Sequence, residues 1–185
     1  MFIQTESTPN PATLKFLPGQ PVLGQGTADF PDASGAANSP LASAIFAHEG
    51  VTGVFLGSDF ITVTKTEAVD WAHIKPAILG AIMEHFQSGR PAIEGEAAEA
   101  HAVQEGPDSE IVEQIKELLD TRVRPAVAQD GGDITFHGFD RGVVYLHMKG
   151  ACAGCPSSTL TLKMGIENLL RHYIPEVTEV RPVAV

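Results

Sequence analysis

Apolar and polar side chains alternate over residues 12–17, just after Thr8-Pro9-Asn10-Pro11, and predict a half-buried strand bounded by prolines. Residues 18–40 are rich in Gly, Pro, Ser and Asp, with little beyond Val22, Leu23 and Phe30 to bury, which predicts loops around one short strand. Leu41, Ala44 and Ile45 have the spacing of a helix that runs to His48 and ends at Gly50. Two β-branched runs, 51–56 and 60–65, flank Gly57-Ser58-Asp59 and predict a hairpin. Ile74, Ile78, Ile82 and Phe86 then mark one helix face, widened by Leu79 and Met83 and stopped by Ser88-Gly89 and Pro91. Pro76 is expected in the first turn of that helix, because proline further in costs about 3 kcal/mol.

Between 89 and 108 the chain turns to Ala, Gly and Glu, and Ile93 and Val103 are the only sizeable apolar residues. Glu94, Glu96, Glu99 and Glu105 repel one another, so the segment reads as an extended acidic linker. Beyond it Asp108 or Ser109 caps a helix whose face is Ile111, Val112, Ile115, Leu118, Leu119 and Val123, with Pro125 expected to break it. A short helical turn at 125–128 and the turn Asp130-Gly131-Gly132-Asp133 lead to strands at 134–139 and 143–148, joined by Asp140-Arg141-Gly142. Pro156 opens another helix, traced by Leu162, Ile166, Leu169, Leu170 and Tyr173, and 177–183 reads as an edge strand.

This order of elements predicts an α+β fold of two small α/β-layer domains, over 1–89 and 108–185, joined by a flexible linker over 90–107. The formal net charge of -11, from 12 Lys+Arg against 23 Asp+Glu, argues against nucleic acid or an anionic membrane as partner. No apolar run approaches the ~18 residues that cross a bilayer. Residues 1–6 show neither a secretory signal nor an Arg-rich presequence, so a bacterial-type protein of the reducing cytoplasm is expected.

The chemistry concentrates in Cys152-Ala153-Gly154-Cys155, which holds both cysteines of the chain, between a strand end and a helix start. Unpaired N–H groups at a helix N-terminus favour thiolates, and the two-residue spacing lets both sulfurs converge on one centre. A cluster or closed tetrahedral metal site wants about four protein ligands, so one chain fills only half of such a shell. An incidental buried thiol pair is the plainest alternative, although a glycine-flanked loop is a poor place to bury one. A thioredoxin-type oxidoreductase also sets CxxC between strand and helix, but too little chain follows Cys155 to complete that sheet. Zinc would need His137 or His147, each more simply a sheet residue. An iron–sulfur cluster shared by two chains satisfies the ligand count with the residues in hand.

Other residues carry less. Trp71 reads as a helix-start core anchor, His48, His73, His85 and His101 as solvated, and Asp130 and Asp133 as caps of a glycine turn rather than a metal pair. Neither a nucleophile-and-base arrangement nor a phosphate loop is visible.

The run from Val123-Arg124-Pro125-Ala126 through Asp130-Gly131-Gly132-Asp133 to Gly150-Ala151-Cys152-Ala153-Gly154-Cys155-Pro156-Ser157-Ser158-Thr159-Leu160 and Lys163-Met164-Gly165-Ile166-Glu167 closely resembles the NifU-like C-terminal domain. Ile3-Gln4-Thr5-Glu6-Ser7-Thr8-Pro9-Asn10-Pro11 with Leu14-Lys15-Phe16 looks like the N-terminal domain of the Nfu family. The resemblance implies an iron–sulfur cluster scaffold or carrier, not an enzyme, with Cys152 and Cys155 as ligands of a [4Fe-4S] cluster held between the subunits of a homodimer. A [2Fe-2S] form would use the same thiolates. It also implies upstream cluster assembly machinery as donor and apo iron–sulfur proteins as recipients. The N-terminal half has no cysteine, and its expected task is client recognition or tuning of dimerisation.

Overall fold

The computed structural model describes residues 2–95, 101, 102, 104–153 and 156–183, with side chains for all of these except 156–159. The chain divides into two compact units, Met1–Ala98 and Glu99–Val185. Each unit holds one sheet with helices packed on it, the α+β architecture that the patterning predicts.

In the first unit β1 (Gln4–Ser7), β2 (Thr13–Leu17), β3 (Ala28–Phe30), α1 (Pro40–Phe46), β4 (Val51–Leu56), β5 (Ile61–Lys65) and α2 (Trp71–Ser88) follow in order. The strands align as β1-β2-β5-β4-β3, all neighbours antiparallel. Phe16, Val54, Leu56, Ile61 and Val63 bury one sheet face against Leu41 and Ile45 of α1 and Ile74, Ile78 and Ile82 of α2. Strand β1 escapes hydrophobic patterning because its side chains are mostly exposed, and it is held by backbone pairing to β2.

Ser39 caps α1, accepting from Ala42 N–H at 3.0 Å, and its hydroxyl donates to Ala92 O at 2.6 Å. Helix α2 ends at Gly89, whose φ of 71° suits a left-handed C-cap. Pro76 departs from expectation: the helix starts at Trp71, so the proline sits inside it. Trp71 fixes that early start by donating its indole N–H to Pro11 O at 3.2 Å.

The second unit runs through α3 (Ser109–Leu118), a π-helical turn (Leu119–Val123), α4 (Arg124–Gln129), β6 (Gly132–Asp140), β7 (Val143–Gly150), α5 (Pro156–Tyr173) and β8 (Glu179–Pro182). Its sheet order is β6-β7-β8, with β6/β7 antiparallel and β7/β8 parallel. Ile134, Phe136, Val144, Leu146 and Met148 pack against Val112, Ile115 and Leu119 below and Ile166 and Leu170 of α5. Pro125 does not break the helix. The π turn, in which Arg124 N–H bonds to Leu119 O, widens the spiral just ahead of it, where the proline ring would otherwise meet the preceding carbonyl.

Both ends of the acidic segment are tied down. Ala92 is buried and Glu94 N–H donates to Asn38 O at 2.7 Å in the first unit. In the second, His101, Ala102 and Gln104 lie along the free edge of β6. Ala102 N–H bonds to Phe136 O at 2.9 Å, His101 Nδ1 accepts Phe136 N–H at 2.9 Å, and the Gln104 amide makes a matched pair of 2.7 Å bonds to Phe139 N–H and O. This strap occupies an edge that would otherwise invite another strand.

Candidate metal centre at the end of strand β7

Cys152 sits in a tight turn where β7 leaves the sheet. Gly150 takes a φ of 62°, Cys152 N–H bonds to Lys149 O at 3.3 Å, and Ala153 N–H to Gly150 O at 3.1 Å. The first residues of β6 wall this turn: Gly132 pairs with Gly150, and Ala151 N–H bonds to Gly131 O at 3.2 Å. A Cβ on residue 132 would run into Cys152 Sγ and stand 2.9 Å from Cys152 N and 3.0 Å from Lys149 O. Glycine is what lets the sulfur lie against this backbone. Cys155 lies outside the described residues.

Cys152 is only 6% exposed. Burial pushes its thiol from 9.0 up to about 12, and the negative charges of Asp133 and Asp130 push the same way. For Cys152, desolvation and the two carboxylates thus act against the thiolate, in the direction opposite to that expected from a helix N-terminus. A cation in this turn would meet the opposite balance, since the same carboxylates attract it and soft thiolate donors suit iron.

Asp133 does more than the turn cap expected of it. It forms a bidentate ion pair with Arg124, at 2.8 Å from Nε and 3.0 Å from Nη2, and accepts Ile134 N–H at 2.9 Å. Arg124 also reaches Asp120 Oδ1 at 2.9 Å, and Asp120 receives His101 Nε2 at 2.7 Å. Because His101 Nδ1 accepts a backbone N–H, its proton is on Nε2 and points to Asp120. The hydrogen bonds that Arg124 donates to Asp133 hold its guanidinium above its ordinary range. Burial opposes ionisation of Asp120, yet Arg124 and His101 hold its carboxyl below the usual value. His101, expected to be solvated, thus joins a hydrogen-bonded chain through Asp120 and Arg124 that ends at Asp133, at the wall of the Cys152 turn.

His137 is exposed at a bulge in β6, and His147 on β7 is half-buried with Nε2 lacking a hydrogen-bond partner among the described residues, so there it is not the satisfied sheet residue expected. Among the described residues no set of three or more His, Cys, Asp and Glu converges as a metal site. His85 is another correction: it is buried in α2, where burial and then Arg90 lower its pKa. Pattern reading missed Gly132 and Arg124 as builders of the site, although a Gly-Gly pair between two aspartates, a few residues after an arginine, is a visible trace of them.

Comparison with known proteins matches residues 3–89 to the N-terminal domain of scaffold protein Nfu/NifU and residues 115–181 to the NifU-like domain. NifU-like protein 4, mitochondrial, of Arabidopsis thaliana is 55% identical over 96% of this chain and 64% of that protein. NifU-like protein 5, mitochondrial, of the same plant is 56% identical over 96% and 66%. The NFU1 iron-sulfur cluster scaffold homolog, mitochondrial, of Drosophila sechellia is 53% identical over 99% and 65%. The chain thus spans about two thirds of the length of these relatives, and its first residues carry no information on targeting. The expectation of a bacterial-type cytoplasmic protein is overturned by these relatives, each of which is named as mitochondrial.

Proposed function

The chain belongs to the Nfu/NifU-like family, an Nfu N-terminal domain joined to a NifU-like domain, and on that footing we propose that it is an iron–sulfur cluster scaffold. Its cargo is a [4Fe-4S] cluster held by Cys152 and Cys155 of one chain and the same pair of a second, and handed on to apoproteins. The observation that supports this best is the Cys152 turn, where a sulfur is pressed between Gly132 and a loop with small side chains. The Drosophila sechellia relative, an iron–sulfur cluster scaffold homolog by name, points the same way.

The high thiol pKa gives release a chemical basis. Without iron, burial and the nearby carboxylates favour the protonated form of Cys152, so this sulfur returns to a stable thiol when it lets go of the cluster. Binding must expel that proton, and the cluster's own positive iron supplies the driving force. The same fact weighs against a thiol–disulfide oxidoreductase, whose attacking cysteine needs a lowered pKa. Anaerobic reconstitution with ferrous iron and sulfide tests the reading. We expect about four irons per two chains, loss of uptake in Cys152→Ala and in Cys155→Ala, and transfer of the cluster to an apo four-iron protein. Full iron retention in the double variant would refute it.

A further inference from the structure

Helix α5 presents an unusual face to solvent. Its exposed positions over the first turns with described side chains are Leu160, Thr161, Met164, Gly165 and Asn168, none of them charged. Leu160 and Met164 are each 58% exposed. Helix α3 of the same unit shows the ordinary pattern, with Glu110, Glu113 and Glu117 outward. The charges of α5 are drawn aside instead: Lys163 leans to Glu179 at 4.0 Å, and Glu167 accepts Val180 N–H at 3.1 Å. Gly165 adds an independent sign. Glycine is a poor residue for a helix interior, and a Cβ here would meet nothing within 4 Å, so no contact among the described residues calls for it.

Leu160 and Met164 lie about 6 and 12 Å along the helix from Pro156, on the element that the CxxC loop opens. If Cys152 and Cys155 are cluster ligands, a reading on which this inference rests, a second CxxC loop must come within a few ångströms of the first. Each chain carries a net charge of -11, so two copies approach with least repulsion through an uncharged surface. We propose that the Leu160–Met164–Gly165 face of α5 is where a second copy of this chain docks, the two helices crossing beside their CxxC loops. A two-fold contact is self-complementary, and the flexible Met164 of one copy fits the notch left by Gly165 of the other.

The test uses the full chain, loaded anaerobically with iron and sulfide, with sedimentation velocity, iron content and circular dichroism read together. Wild type should sediment as a loaded dimer. Met164→Glu, folded by circular dichroism, should associate at least about tenfold more weakly and lose its iron with the dimer. Gly165→Ala should raise the melting temperature of the apo chain, where the space is open, yet weaken the loaded dimer. A Met164→Glu protein that is dimeric and loaded like wild type overturns the docking face and leaves the cluster reading standing. Wild type that loads as a monomer overturns the face and the sharing together. Wild type that takes up no iron sinks the cluster reading, and the face is then judged on the apo chain at high concentration: association abolished by Met164→Glu supports it, and a monomer overturns it.

Discussion

Gly132 lies so close to Cys152 that a single added carbon would strike its sulfur and crowd its backbone N–H at 2.9 Å. The neighbours on that side are backbone, Cys152 N and Lys149 O, which cannot rotate away. Gly132→Ala should therefore move the turn, destabilise the second unit by about 1–3 kcal/mol, and reduce cluster uptake more than its loss of stability explains. Thermal melts and iron content of the same preparation check this, and unchanged loading would show that the turn has slack.

The Cys152 thiol should be inert in the apo protein. With its pKa at about 12 rather than 9.0, the thiolate population near neutral pH falls about a thousandfold. Alkylation followed by peptide mapping should show Cys152 reacting far more slowly in the native protein than in denaturant. Stability follows the same shift. The folded state holds this proton more tightly than the unfolded chain, so the contribution is complete below pH 9.0 and is lost as pH rises toward about 12. The stability measured by denaturant melts should fall more steeply with pH over that window in wild type than in Cys152→Ala.

Breaking the ion pair beneath the turn should have two opposite readouts. Asp133 has a side chain only 5% exposed, and Asp133→Asn removes the bidentate carboxylate while Arg124 keeps Asp120, at a cost of about 1–3 kcal/mol. Yet the same change removes one of the charges that raise the Cys152 pKa. The variant should melt earlier and alkylate faster at Cys152, a combination that simple loosening is separated from by comparison with Arg124→Leu, which leaves the carboxylate in place.

The strap on β6 should open when its side-chain bonds are removed. Gln104→Ala deletes both bonds to Phe139, worth about 1–3 kcal/mol together. Hydrogen exchange at the Phe139 amide should rise sharply while the β7 amides hold, and uniform exchange across both strands would contradict the strap.

The helices, the hairpin and the cysteine motif were legible because each rests on local spacing: Ile74, Ile78 and Ile82 repeat at helical period, and Cys152 and Cys155 stand alone as thiols. What stayed hidden depends on contacts between distant segments. The Cys152 pKa is set by burial against Gly132 and by Asp133, both about twenty residues upstream, so helix-terminus logic alone gave the wrong direction. His101 looked solvated among glutamates, but the open edge of β6 recruits it together with Gln104. Pro125 looked like a break, and the π turn that absorbs it has no signature in hydrophobic periodicity.

Native mass spectrometry of the anaerobically loaded chain is the most direct test, because it weighs chains, iron and sulfide in one particle. The account expects two chains with a single four-iron, four-sulfide core, and bare single chains when Cys152 or Cys155 is replaced by alanine. One chain carrying a complete core by itself, or a core that survives loss of both thiols, would contradict it.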